Sequence, residues 1–117
     1  MKRIIFNLKK EWYDKIESGE KTVEYRNVTD HWASRLMPNT ILKFSHKVDI
    51  RGNFYFTQME TKPLIPNDWF AVFRLGYSRK HPDIVRRIVK IDIGYCPYKG
   101  WDGEYFRVHF EKWGIAV

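Results

Sequence analysis

Gly19-Glu20-Lys21-Thr22-Val23-Glu24-Tyr25-Arg26 reads as a helix stop running straight into a strand. Glycine ends helices because it alone enters the left-handed region without strain. Beyond it, residue types alternate with period two. Val23 and Tyr25 fall on one strand face, and Thr22, Glu24 and Arg26 fall on the other. Such a strand is expected to bury the first face and to present a hydroxyl, a carboxylate and a guanidinium on the second. Lys21 stands at the turn that feeds it. An exposed ion pair contributes only ~0–1 kcal/mol, so a plainly solvated charged face is the simplest alternative reading.

Working outward, Arg3 to Leu8 is expected as a first strand. Lys9 to Ser18 is expected as a helix with Leu8, Trp12 and Ile16 at i, i+4 spacing, Tyr13 on its flank and Glu11–Lys15 as a favourable pair. After the quoted strand, a short helix is expected from Asp30 to Leu36, stopped by Pro38. Further strands are expected over Ile41 to Ser45, Arg51 to Met59, Trp69 to Leu75, Arg86 to Ile93 and Glu104 to Lys112. The segment 84–93 is ambiguous, because its first half fits a helix and its second half a strand. The sum is an α+β, mainly β class: a small barrel with one principal helix near the N-terminus. With 117 residues, no internal repeat and no linker, the chain is expected to form a single domain over 1–117. Residues from about 47 to 68 read as an insertion near the barrel mouth.

Lys and Arg total 21 against 14 Asp and Glu, a net charge of +7, which favours anionic partners and places nucleic acid or nucleotides first. The basic residues come in pairs, so any patch must be assembled by folding. Five Trp, seven Tyr and eight Phe exceed what so small a core needs, so some rings are expected at a groove or pocket. Cys96 is alone, which excludes an internal disulfide and a cysteine-based zinc site. His31, His46, His81 and His109 share no ligand spacing, so neither a metal nor a cofactor is expected. No run approaches the ~20 apolar residues of a membrane span. The opening Met1-Lys2-Arg3-Ile4-Ile5-Phe6 is too short and charged for a signal peptide. The expectation is a cytoplasmic protein with no membrane contact.

The pattern Trp12-Tyr13-Asp14-Lys15-Ile16-Glu17-Ser18-Gly19-Glu20-Lys21-Thr22-Val23-Glu24-Tyr25-Arg26, followed by Trp32 and Arg35-Leu36, resembles the opening of the ASCH domain, a small-barrel family of the PUA-like superfamily. Gly76-Tyr77-Ser78 with Arg79-Lys80, and the closing Tyr105-Phe106-Arg107-Val108-His109-Phe110, are also similar to it. The resemblance implies a PUA-like barrel with a site at its mouth. It also implies an activity, since some ASCH proteins are amidohydrolases acting on N4-acylated cytidines. In those, a lysine at the position of Lys21 is nucleophile or base, with a threonine three residues later and a glutamate from a distant loop. Here Glu24 stands where the threonine would be, and Glu60 and Glu104 are the available distant acids.

Three readings follow from these residues. The first is a nucleic-acid- or nucleotide-binding domain that recognises RNA or a modified nucleoside through Lys21, Thr22, Glu24 and Arg26. Tyr77 or Trp101 would stack on the base, and Arg79, Lys80, Arg86 and Arg87 would contact phosphates. A carboxylate accepting from an exocyclic amine, and a guanidinium donating to a carbonyl or phosphate, are ordinary nucleobase contacts. The second reading is the amidohydrolase, with Lys21 as nucleophile or base and Glu24 managing protons. The third is a basic protein-interaction domain with a vestigial pocket. Trp32, Trp69, Tyr95 and Tyr98 are further stacking candidates.

Overall fold

The computed structural model describes residues 1–36, 45–48, 54–57, 63–76 and 80–114, with backbone alone for 45–48 and 54–57. The chain runs β1 (Lys2–Leu8), α1 (Lys10–Glu17), β2 (Val23–Asn27), α2 (Asp30–Leu36), β3 (Ser45–Val48), β4 (Phe54–Thr57), β5 (Trp69–Leu75), β6 (Ile84–Tyr95) and β7 (Glu104–Phe110). The result is a mixed α+β domain, mostly strands, with two helices on a curled half-barrel sheet. Among the described residues, no helix is long and apolar enough to cross a membrane.

Five strands form the sheet in the order β1-β5-β6-β7-β2. β1 and β5 pair in parallel, as their long crossover through both helices allows, and the other neighbours are antiparallel. β1 and β2 are therefore the two edges of the curl. β3 and β4 make a separate two-stranded antiparallel sheet. The expected insertion at 47–68 begins inside β3, and much of it lies outside the described residues, as do residues 41–44 of the strand expected there.

The concave side holds the core. Ile4, Phe6 and Leu8 of β1 meet Ala71, Phe73 and Leu75 of β5 in register, and Phe106, Val108 and Phe110 of β7 complete the wall. β6 keeps both Ile88 and Ile91 buried because a bulge at Val89 separates the pairs Ile88↔Phe110 and Lys90↔His109. One extra residue reverses the parity, so the strand alternates in two phases. The first half of 84–93 fits a helix in sequence because Val85 and Val89, though apolar, stand exposed beside the buried Ile84 and Ile88. The strand is longer than expected, reaching Ile84 and Tyr95. Leu64 bridges to Ile91 by two backbone hydrogen bonds of 2.8 Å, covering β6 where β5 no longer pairs with it.

Both helices plug the core. α1 inserts Ile16 as expected, beside the buried Leu8, and also Tyr13, which the sequence placed on its flank and whose hydroxyl donates to the Pro82 carbonyl. Trp12 stays half-buried. The bonded i, i+4 pair of α1 is Lys10–Asp14 at 2.8 Å, while Lys15 lies over the Trp12 ring. α2 inserts Ala33 and Leu36.

Candidate functional site

Gly19 ends α1 with φ +81°, and the backbone N–H of Lys21 turns back to the Lys15 carbonyl at 2.9 Å. This return delivers the chain into β2, which pairs with β7 as Glu24↔Val108 and Arg26↔Phe106. Directly opposed residues of an antiparallel pair share a face. Val108 and Phe106 are fully buried, so Glu24 and Arg26 point into the core side of the curl. Here the structure departs from the expectation that Val23 and Tyr25 form the buried face of this strand. Tyr25, on the outer face, is buried as well, because Tyr98 and Trp101 lie across it at 5.7 and 6.4 Å.

Glu24 is the centre of a buried charge cluster. It is 2% exposed and Lys21 is 6% exposed. Glu24 Oε1 accepts from Lys21 Nζ at 3.2 Å and from the Tyr25 backbone N–H at 2.9 Å. Its Oε2 makes no hydrogen bond and lies 3.8 Å from Arg26 Nη2. Lys21 Nζ also sits 4.4 Å from the Trp12 ring centre and 5.6 Å from that of Tyr98. Burial pushes the Lys21 ammonium below the ordinary lysine range, with Glu24 pulling the other way. Two cations around one buried carboxylate, with ring faces beside the lysine, limit the desolvation cost.

Arg26 connects this cluster to a cavity. Its Nη2 donates to the Asn7 carbonyl at 3.2 Å, so the side chain spans the gap between the β2 and β1 edges. The guanidinium lies 5.3 Å from the Phe6 ring and 5.2 Å from the Trp32 ring, and those two rings stack with planes 8° apart. Above this gap is a cavity of about 430 Å³. Ile5 and Asn7 come from one edge, Tyr25, Arg26 and Asn27 from the other, His31, Trp32 and Arg35 from α2, and Trp101 from the loop before β7. Small-molecule sites run to about 300–1,000 Å³, so one nucleoside-sized ligand fits.

Of the residues singled out in the sequence, Arg26, Trp32 and Trp101 line the cavity, while Lys21 and Glu24 are buried away from its wall. Thr22 is half-buried, and its carbonyl accepts from the Phe110 N–H at 3.0 Å. Arg86 and Arg87, consecutive on β6, point to opposite faces. Arg86 is opposed to the buried Ala71, whereas Arg87 is exposed and lies 4.0 Å from Glu111. Lys80 is exposed in the turn before β6. Tyr77 and Arg79 lie outside the described residues. Asn7, Tyr25, Asn27, His31 and Arg35 are wall residues that the sequence did not single out as a site. The i, i+4 spacing of His31 and Arg35 on the expected short helix was the available signal.

A second cluster lies on the outer face of β6 and β7. Asp92, directly opposite Arg107, accepts from its Nε at 2.7 Å and its Nη2 at 2.9 Å, and Oδ1 is 3.0 Å from His109 Nε2. Burial alone would raise the Asp92 pKa, but the hydrogen bonds and charges of Arg107 and His109 outweigh it and hold the carboxyl below its ordinary value. Among the described residues, no group of three His, Cys, Asp or Glu side chains is placed to hold a metal. Set against protein-family models, curated proteins and solved structures, the chain matches none of them.

Proposed function

We propose that this chain is a cytoplasmic, nucleotide-binding domain of the ASCH and PUA-like type, which takes one base of an RNA, or a modified nucleoside, into the cavity between its sheet edges. What carries the reading is the make-up of the cavity wall: two tryptophans, two arginines and two carboxamides around a nucleoside-sized space. Among the described residues, the ring contacts of Trp101 are tilted or edge-on, at 65°, 68° and 52°. Among the described residues no ring is stacked parallel on it, which suits it to stack on a base. Base–aromatic stacking contributes about 1–3 kcal/mol per base. Asn7, Asn27 and Arg26 supply donors and acceptors for a base edge.

The test is a two-dimensional NMR titration that follows the tryptophan indole N–H signals while nucleosides, nucleotides and short RNAs are added. Saturable shifts of Trp101 and Trp32, with affinity about tenfold weaker in Trp101→Ala, are expected. Failure of every nucleoside, nucleotide and RNA to shift either signal would remove the reading and leave the basic protein-interaction domain.

The amidohydrolase is the second reading, favoured by one observation: a lysine of lowered pKa hydrogen-bonded to a glutamate. Against it, the pair is nearly inaccessible and forms no part of the cavity wall. Binding without turnover is therefore the reading we adopt. Deacylation of N4-acetylcytidine that disappears in Lys21→Ala would reverse the order of the two.

A further inference from the structure

Among the described residues, the cavity wall carries two guanidiniums and one imidazole, from Arg26, Arg35 and His31, and no carboxylate. These three groups are not equivalent. Arg26 is committed inward: it donates to the Asn7 carbonyl and has Glu24 at 3.8 Å, so its charge is partly offset. Arg35 is exposed on α2, with no acid bonded to it among the described residues. Its Nη1 donates to the His31 carbonyl at 2.9 Å and lies 3.1 Å from His31 Nδ1. Both contacts use that single nitrogen, and no bond of Nε or Nη2 is made among the described residues. Arginine has no acceptor, so Nδ1 must accept in this contact and the ring proton is assigned to Nε2. One turn of α2 therefore holds a guanidinium edge and an imidazole N–H, both donors, locked together beside a site for a flat ring.

We propose that the cavity binds a nucleotide and not a bare nucleoside: a phosphate attached to the stacked nucleoside is held by Arg35 and His31, while Trp101 and Arg26 hold the base. The inference rests on the base-binding reading above and names its ligand class. A phosphate oxygen pair matches the planar edge of a guanidinium, and charge-assisted hydrogen bonds of this kind are about twice as strong as neutral ones. A neutral nucleoside would offer those donors no anionic partner and leave them to water. Arg26 cannot substitute, because its charge already answers Glu24.

The experiment compares cytidine, cytidine 5′-monophosphate, cytidine 3′-monophosphate and a trinucleotide having internal phosphates only, then repeats the set with the other three bases. Indole N–H shifts report the base and His31 ring signals report the phosphate. For the preferred base, the phosphorylated ligand should bind about tenfold tighter than its nucleoside, the scale of one charge-assisted hydrogen bond. Arg35→Gln should abolish that difference, and His31→Gln should reduce it. A gain confined to the monophosphates assigns the ligand as a free nucleotide or chain end, and an equal gain for the trinucleotide assigns it as an internal phosphate. Either supports the proposal. Equal affinity of nucleoside and nucleotide, or a phosphate gain that survives in Arg35→Gln, overturns it while leaving the base pocket standing. Absence of any indole shift with every ligand overturns both. Arg35 is exposed, so unfolding midpoints matching the wild type will show that these variants remain folded.

Discussion

Lys21 and Glu24 show how little a residue's charge reveals about its surroundings. Their pairing removes two charges from water, and removing one partner strands the other. Lys21→Ala should therefore destabilise the protein by about 3–5 kcal/mol, read from urea unfolding. A loss near zero would mean that Glu24 is reached by water. The lowered Lys21 pKa has a defined sign in the pH dependence. An unfolded lysine titrates near ~10.4, so above the folded pKa the unfolded chain holds more protons than the native one. Stability linked to Lys21 should rise with pH through that interval and be complete above the unfolded value. Asp92 behaves alike at the acid end. Its folded pKa is depressed, so its contribution is present above the unfolded value of ~3.9 and is lost as pH falls through the folded one. Asp92→Asn should cost about 1–3 kcal/mol at pH 7 and flatten the fall in stability on acidification. An acid limb unchanged by the substitution would assign that fall to other carboxylates.

At the scale of elements, boundaries were legible wherever one periodicity ran without interruption. Asp30–Leu36 and Trp69–Leu75 emerge with the expected bounds, because Pro38 and Gly76 punctuate strong local patterns. α1 is present as expected, but its buried face is turned toward Tyr13 by the site the sheet leaves open for it. β6 could not be read cleanly, because the Val89 bulge changes phase inside the strand. Deleting Val89 should leave simple alternation in which Ile88, Ile91 and Ile93 still share the buried face. Cooperative unfolding is expected to survive, and a deletion variant that no longer unfolds cooperatively would rule out this account of the bulge. Gly19 is a gentler case. At φ +81° a β-carbon is strained, so Gly19→Ala should cost about 1 kcal/mol, read from urea unfolding.

For the molecule as a whole, the net charge of +7 should make binding of RNA fall steeply with salt, because neutralised phosphates release counterions. Fluorescence anisotropy of labelled single-stranded and double-stranded RNA at several salt concentrations measures the slope. A salt-independent affinity would mean that the basic surface takes no part. The sequence alone determined the α+β class, the helix stop at Gly19, most of the strands and a net charge of +7. Each of these follows from local periodicity, glycine stereochemistry or composition, none of which needs a neighbour distant in the chain. Only the tertiary structure decided which of the expected residues meet. The register Glu24↔Val108 buries Glu24, and the curl of the sheet brings the β1 and β2 edges within reach of Arg26. α2 then sets His31 and Arg35 beside Trp101, some seventy residues away along the chain. Strand alternation says which residues share a face, but the side of a sheet that is covered depends on what packs against it.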